Sequence, residues 1–272
     1  MWPKTFIKWI ENSTLHISIV FTWDLPVVRS FLKQRSFFWD KAVVGGTAIE
    51  LIPDFFSDMP WVSIGNKING ILQRINPKAT RTTTGCVNYC PWCAVPRIEG
   101  KLTELIDWPD LPVLIDNNLL AASIEHFDRV IDRLIVHGWA DFNQGLDARL
   151  LNDYHAIRIA EINQPMVRLA LDSMSIADQW DCAYDRLRSA GIAKKNICSY
   201  ALIGFDSGPD EAWKRCLWIE GYGIKAFPSW FHRLDSMDKN IVTERQAKLG
   251  WNDYERRKIM QWFYQHKRAV VT

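Results

Sequence analysis

From residue 79 onward, the chain alternates between short apolar runs and stretches with the periodicity of an amphipathic helix. The apolar runs lie at residues 112–116, 140–144, 166–172, 197–205 and 224–231. The helical stretches lie at residues 121–137, 152–162, 176–190 and 209–221. Strands and helices that alternate in this way form a parallel sheet with right-handed crossovers. With a first strand at 81–84, the pattern predicts an α/β fold, a partial (β/α)6 TIM-like barrel. A flat doubly wound sheet is the alternative.

The first 75 residues lack this alternation, and we interpret them as a short N-terminal α/β extension. Apolar runs at 17–21 and 42–44 predict buried strands closed by turn residues. Residues 66–77 are predicted to connect the extension to the rest of the chain. The predicted segments are therefore a truncated Rossmann-like extension at 1–75, the barrel at 76–235 and a C-terminal helical segment at 236–272.

Composition excludes several broad classes of protein. The chain has 272 residues, of which 48% are hydrophobic and 24% are charged, so disordered, collagen-like and multi-span membrane proteins are excluded. With 33 Lys and Arg against 31 Asp and Glu, the net charge is too small to attract nucleic acid or an anionic membrane broadly. The sequence shows neither a signal peptide nor a long apolar run. We therefore expect a cytoplasmic protein without membrane association.

Three of the six cysteines fall within eight positions, in the spacing Cys-x3-Cys-x2-Cys. They are Cys86, Cys90 and Cys93. A structural zinc site and a cubane [4Fe–4S] cluster each normally take four protein ligands. The nearest His is His126 and the next Cys is Cys182, so the loop offers no fourth ligand of its own. Three thiolates leave one metal position open, as a catalytic cluster that binds a substrate or cofactor requires. A zinc loop is the alternative.

Polar residues and glycine follow the predicted strands, where a parallel barrel places its chemistry. They are Asp116, Asn117 and Asn118 after the second strand, Gln144, Asp147 and Arg149 after the third, Asp172 after the fourth and Gly204 after the fifth. Residues of these types also make turns and cap helices. Since they share one rim with the cysteines, we favour a functional role.

Arg168 and Asp172 are predicted to lie on the fourth strand, four positions apart, and therefore on one face. A charged pair inside a barrel is costly unless it binds a ligand or pairs internally. Both interpretations remain open.

The cysteine spacing, after the first strand of an α/β barrel and with an aromatic Trp92 before the third Cys, resembles the radical S-adenosylmethionine (SAM) superfamily. The resemblance implies that Cys86, Cys90 and Cys93 bind three irons of one [4Fe–4S] cluster. SAM would bind the fourth iron through its amino and carboxylate groups. Reductive cleavage would then produce a 5′-deoxyadenosyl radical that abstracts hydrogen from a substrate. A one-electron donor of the flavodoxin or ferredoxin type is implied as a partner.

The same resemblance assigns provisional SAM-binding roles to the residues that follow the strands. Asp116, Asn117 and Asn118 would meet the methionyl amine, and Trp92 would lie beside adenine. The remaining assignments are Gln144, Asp147 and Arg149 for the ribose diol, the carboxylate or the substrate, Arg168 and Asp172 for a ligand inside the barrel, and Gly204 in the fifth-strand segment beside adenine.

Within the superfamily, the cysteine loop resembles that of the methylthiotransferases. Most of residues 17–265 resembles uncharacterised members of the superfamily that carry the sequence Phe-Asn-Gln-Gly-Leu-Asp-Ala-Arg, here at 142–149. The run Val43-Val44-Gly45-Gly46 is similar to part of a cobalamin-binding domain. The extension is too short for that whole domain and lacks its Asp-x-His-x-x-Gly motif. We therefore expect a cofactor-free remnant and no cobalamin.

The C-terminal stretch 251–268 is predicted to form a basic, aromatic helix. Its predicted apolar face holds Trp251, Tyr254, Ile259, Trp262 and Phe263, and its basic face Arg256, Arg257, Lys258, Lys267 and Arg268. The helix either packs on the barrel or contacts nucleic acid, and we favour packing. Cys182, Cys198 and Cys216 are expected to be buried, unreactive thiols.

These patterns favour a radical SAM enzyme acting on an unidentified substrate, with RNA or protein slightly preferred. Methylthiotransferase-like modification is an alternative within this class. A non-catalytic metal-binding module for nucleic acid or protein is the alternative from another class. The sequence indicates neither the substrate nor the oligomeric state.

Overall fold

The computed structural model describes residues 2–35, 38–65 and 70–265, and the chain divides into two compact units. The first contains the chain up to Lys78 together with Pro91–Ile98 and His232–Lys239. The second contains Ala79–Cys90, Glu99–Phe231 and the chain from Asn240 onward. Residues 66–69 of the predicted connector at 66–77 lie outside the described residues, as do the predicted helical residues 266–268, including Lys267 and Arg268. The rest of the predicted connector contains a short helix, Ile71–Ile75.

The first unit is built on a four-stranded mixed sheet of order β1-β2-β3-β4. The strands are β1 (Ile7–Glu11), β2 (Thr14–Ser18), β3 (Ala42–Gly45) and β4 (Val62–Ile64). Only β1 runs antiparallel to its neighbour. The helices of this unit are α1 (Leu25–Gln34), α2 (Thr47–Leu51), α3 (Ile71–Ile75) and α4 (Val95–Ile98).

One of the two strands predicted in the extension is displaced. The run at 42–44 lies within β3, as predicted, whereas the run at 17–21 forms a strand at Thr14–Ser18. The strand ends early because Thr22–Asp24 begins a helical turn that leads directly into α1. The apolar side chains that remain in the strand, Leu15 and Ile17, are buried in the core of this unit.

The second unit is built on a six-stranded parallel sheet. Its strands are β5 (Ala79–Thr80), β8 (Val113–Leu114), β9 (Trp139–Phe142), β10 (Gln164–Ala170), β11 (Ile197–Ile203) and β12 (Lys225–Trp230). They lie side by side in the order in which they occur along the chain. The helices that follow the inner strands are α5 (Ile124–His137), α6 (Asp153–Ala160), α7 (Ala177–Ser189) and α8 (Pro209–Gly221).

Further elements of the second unit flank this sheet. They are a two-stranded antiparallel ladder of β6 (Thr83–Thr84) and β7 (Thr103–Glu104), and the C-terminal helices α9 (Glu244–Lys248) and α10 (Asp253–Gln265). Within the described residues, no helix has both the length and the apolar character that a membrane crossing requires.

The prediction of a first strand at 81–84 was wrong. The strand of the parallel sheet is Ala79–Thr80, and Thr83–Thr84 pairs instead with β7. The cause is a carboxylate from the next strand end: Asp116 Oδ1 accepts hydrogen bonds from the backbone amides of Thr82 and Thr83. Those amides are therefore unavailable to the parallel sheet, which the chain leaves after Thr80.

Helix α5 follows the predicted pattern except at its start. Ser123 caps the helix by accepting the amide hydrogen of His126, and Gly138 ends it in the left-handed conformation, with φ 73°. Phe127, Ile131 and Leu134 are buried, as the spacing predicts. The same helical spacing predicts Ile124 on this face, but Ile124 is 58% exposed although His126 in the same turn is buried.

Helix α10 and the isolated cysteines bring three further corrections. The predicted basic face of the C-terminal helix is wrong at Arg256, which is buried and reaches the ring of Trp230. Tyr254, expected on the apolar face, is 69% exposed. Cys198 and Cys216 are buried as expected, but Cys182 is exposed, since it lies on the solvent side of α7.

Candidate functional site

The first part of the cysteine loop is anchored to the second unit by Glu99. One oxygen of Glu99 accepts from Arg81 at 2.6 Å, and the other accepts from the Gly85 amide at 2.9 Å and from Asn117 Nδ2 at 2.7 Å. Burial disfavours the charged form, but the Gly85 amide and Arg81 outweigh it and hold the pKa of Glu99 below its usual value. Asn117 therefore contributes to the anchoring of the loop through its hydrogen bond to Glu99.

Position 85, at the base of the cysteine loop, requires glycine. Its φ is +70°, and a Cβ at this position would lie 2.0 Å from the carbonyl oxygen of Lys101. The next residue, Cys86, donates its amide hydrogen to the Gly100 carbonyl at 3.2 Å. The two ends of the loop are thus tied together at its base by backbone contacts.

Asp147 gathers polar groups from three neighbouring strand ends. Its Oδ2 accepts from Asn88 Nδ2 at 2.8 Å and from Asn118 Nδ2 at 3.1 Å. Arg149 donates to both carboxylate oxygens, at 2.7 and 2.8 Å. Burial raises the pKa of Asp147, but Arg149 and Asn88 more than offset this effect, so the pKa lies below its ordinary value. Asp147 is therefore a fixed negative charge.

Two of the three clustered cysteines contact the residues that bind the Asp147 carboxylate. Cys86 Sγ accepts from the Asn88 amide at 3.4 Å and from Asn118 Nδ2 at 3.8 Å. The Arg149 guanidinium lies close enough to Cys90 to interact with its thiolate form. Burial raises the pKa of Cys90, Arg149 opposes this rise, and the neighbouring Cys86 and Asp172 add to it.

These contacts form a continuous network that we call the Asp147 network. Its members are Cys86, Asn88, Cys90, Asn118, Asp147 and Arg149. The structure thus brings together two predicted metal ligands and three predicted SAM-binding residues.

The remaining residues of the predicted cluster loop belong to the other unit. Trp92 and Cys93 lie in the Pro91–Ile98 segment, which is part of the first unit, and both are half-buried. Across the part of the chain that the structure describes, no group of three or more His, Cys, Asp or Glu side chains is arranged to hold a metal ion. The three cysteines are therefore not assembled as a metal site in this structure.

Asp116 lies at the carboxyl end of β8 and is buried. Its Oδ1 accepts four hydrogen bonds, from the backbone amides and the hydroxyls of Thr82 and Thr83. Burial nevertheless raises the pKa of Asp116 above its usual value. The second oxygen, Oδ2, has no hydrogen-bond partner among the described residues. Asp116 and the exposed Gln144 both line a small concavity.

The prediction that Arg168 and Asp172 share one strand was wrong, and the two side chains do not pair, which was one of the two interpretations left open. Arg168 instead makes a bidentate contact with Asp141 on β9, at 2.8 and 2.7 Å. Strand β10 ends at Ala170, so Asp172 is not on the strand, and its carboxylate accepts from the Leu202 amide at 2.9 Å. Neighbouring parallel strands bring Asp141 beside Arg168 although the two are 27 residues apart. Burial raises the pKa of Asp172.

Gly204 follows β11, and its environment explains why it is glycine. Its φ is +80°, and a Cβ here would lie 2.4 Å from the ring of Trp230. That ring is buried, and its Nε1 donates to the Ile241 carbonyl at 3.1 Å. A packing requirement accounts for Gly204 without any ligand.

Asn88 and Glu99 were missed as members of the site. Both lie between or just beyond the cysteines, where the sequence carries a polar residue inside a Cys-x-Asn-x-Cys pattern and a carboxylate before Gly100. That position in the loop was the available signal. Their partners, Asp147 and Arg81, are too far away in sequence to be predicted from a local pattern.

A scan against models of known protein families finds none that matches this chain, and a search of curated proteins finds no similar sequence.

We predict that Asp147→Asn destabilises the second unit by about 1–3 kcal/mol. The amide would carry no charge for Arg149 and would present N–H groups to the donors of Asn88 and Asn118. Urea unfolding followed by circular dichroism measures the loss. The matched control is Asp235→Asn, because Arg233 and Asp235 make the same bidentate contact on the surface, with both side chains more than half exposed. That control should change stability little, and equal losses in the two variants would contradict a structural role for the Asp147 network.

We predict that Gly204→Ala lowers the free energy of unfolding by about 2–5 kcal/mol, since it combines a left-handed backbone with a clash against Trp230. The matched control is Gly138→Ala, where φ is +73° but no atom lies within 4 Å of the added Cβ. It should cost only about 1–2 kcal/mol. If the two variants unfold at the same urea concentration, the contact with Trp230 is not the reason for glycine.

Proposed function

We propose that this chain is a radical SAM enzyme that binds one [4Fe–4S] cluster through Cys86, Cys90 and Cys93. The observation that carries the proposal is the Asp147 network, which joins two of these cysteines to polar residues from the carboxyl ends of the next two strands. Catalytic groups of parallel α/β proteins gather at this edge. A turn-and-cap role does not account for contacts that link separate strand ends.

The donor chemistry of these residues fits an iron–sulfur cluster. Cluster sulfurs are stabilised by N–H donors, and Cys86 Sγ lies within reach of two such donors, from Asn88 and Asn118. Metal ligation also requires a deprotonated thiol. Burial raises the pKa of Cys90 and disfavours that charged form, and the Arg149 guanidinium offsets part of this effect.

The strand order supports a partial barrel as the scaffold. A doubly wound sheet reverses its order at a switch point, whereas these six strands succeed one another in chain order from β5 to β12. With each connection right-handed, successive helices cover the same face of the sheet, which favours closure toward a (β/α)6 arrangement. We infer the closure of the sheet from its strand order and from the right-handed connections expected between parallel strands.

The residues around the cysteines have distinct proposed roles. When bound and reduced, the cluster supplies the electron that cleaves SAM. Arg149 compensates negative charge at Cys90, and Asp147 holds Arg149 and Asn118 in place. The buried oxygens Asp116 Oδ2 and Asn118 Oδ1 have no hydrogen-bond partner within the described part of the chain, so both are available to N–H groups of a ligand.

Anaerobic reconstitution with iron and sulfide tests the proposal. We expect about four iron atoms per chain, and 5′-deoxyadenosine from SAM once a strong one-electron reductant is added. Cys86→Ala, Cys90→Ala and Cys93→Ala should each lose most of the bound iron and all SAM cleavage. Cys182→Ala is the matched control, because this cysteine is exposed and outside the loop. It should retain both properties.

Two outcomes would contradict the proposal. A chain that binds about one zinc per molecule and no iron is a structural metal-binding module. A chain that carries an intact cluster but never cleaves SAM, even with RNA and protein extracts present as substrates, is not an enzyme of this class.

A further inference from the structure

A buried hydrogen-bond chain leads from the surface of α5 to Asp116. Arg129 Nη2 lies 3.1 Å from His126 Nδ1, and His126 Nε2 lies 3.2 Å from Thr82 Oγ1. The Thr82 hydroxyl in turn donates to Asp116 Oδ1 at 3.1 Å. His126, Thr82 and Asp116 are all buried. None of these residues belongs to the Asp147 network, so this series of hydrogen bonds needs a separate explanation.

The chemistry of the groups fixes the direction of each hydrogen bond. A guanidinium has donors only, so Arg129 donates and His126 Nδ1 must be the unprotonated nitrogen. A neutral imidazole then carries its hydrogen on Nε2 and donates it to Thr82 Oγ1. Because the Thr82 oxygen is occupied as an acceptor, its hydroxyl hydrogen is directed to Asp116. Every donor in this series of hydrogen bonds is therefore directed toward the Asp116 carboxylate.

The charged groups around His126 agree with this neutral tautomer. Burial lowers the pKa of His126 and Arg129 reinforces that effect, whereas Glu104, Asp116 and a hydrogen bond to the Thr82 backbone oppose it. Glu104 Oε2 lies 3.7 Å from Nδ1, too far for a hydrogen bond, and Glu104 accepts instead from the amide and hydroxyl of Ser123. Arg129 is the closer partner of Nδ1.

The two carboxylate oxygens of Asp116 differ in their hydrogen bonding. Oδ1 accepts from both Thr82 and Thr83 through four donors, which fills its acceptor capacity. Oδ2 has no partner within the described residues, and Asp116 lines the concavity that opens beside Gln144. The carboxylate is thus held in one orientation, with one oxygen committed to the fold and one available to a ligand.

We propose that His126 and Arg129 are positioning residues that act through Thr82 to orient Asp116, so that Oδ2 alone receives a hydrogen-bond donor of the bound ligand. Only the identity of that ligand rests on the proposed function, because neither the cysteines nor a cluster takes part. The donor that Oδ2 receives is an N–H or O–H group of the ligand.

NMR of the full chain without iron tests the proposal. In wild type, the ¹⁵N signals of His126 should show the neutral Nε2–H tautomer from pH 6 to 8. A Nδ1–H tautomer, or a charged imidazole at pH 7, would overturn the proposed direction of the chain. This measurement needs no variant, so it is decisive even where substitutions impair folding.

Titration of the Asp116 carboxyl carbon provides the second test. Thr82→Val removes one donor to Oδ1 and should raise the measured pKa of Asp116 by about one, whereas Thr82→Ser keeps the hydroxyl and should leave it near the wild-type value. His126→Leu should also raise this pKa, and His126→Gln, whose amide can donate to Thr82, should restore it.

The double variant separates positioning from simple packing. Because His126 acts through the Thr82 hydroxyl, His126→Leu should add no further rise in the Asp116 pKa when Thr82 is already Val. Asp172, a second carboxylate whose pKa burial raises, is the internal control and should titrate unchanged throughout. Additive rises would show that His126 affects Asp116 only through general packing, and would refute the proposal whatever the outcome of reconstitution.

Discussion

The Asp147 carboxylate is the interaction on which the rest of the site depends. Its acceptors are shared among side chains from the cysteine loop, the end of β8 and the segment after β9. Without that charge, Arg149 would be left beside Cys90 with no anchoring anion, and the two asparagines would lose the acceptor that orients them. A single half-buried carboxylate therefore connects side chains that contact two cysteines at the carboxyl edge of the sheet.

The same principle recurs at two other carboxylates along this edge. Glu99 closes the base of the cysteine loop, and Asp116 binds the backbone just before it. Each carboxylate accepts N–H groups that a strand or helix ladder does not use, so irregular backbone remains satisfied where the chain leaves the sheet. The loop is therefore held at its base, while the buried Asp116 Oδ2 has no hydrogen-bond partner among the described residues.

The alternation of strands and helices could be predicted because apolar periodicity is a local property of the sequence. Long elements such as α8 follow it closely, and the strand order of the sheet is consistent with it. The first strand could not be placed, since its end is set by Asp116, 34 residues from Thr82. Similarly, the partner of Arg168 lies on a neighbouring strand, and strand pairing rather than local spacing selects Asp141 over Asp172. The cysteines marked the loop, but not Asn88 or Glu99 that hold it.

The central claim is that three thiolates from this loop leave one iron open to SAM. Mössbauer spectroscopy of the chain reconstituted with ⁵⁷Fe tests it most directly, because each iron of the cluster contributes separately to the spectrum. Addition of SAM should change the signal of about one quarter of the iron, as one open position in a four-iron cluster requires. A spectrum that SAM leaves unchanged, or one that shows only isolated iron ions, would contradict the account.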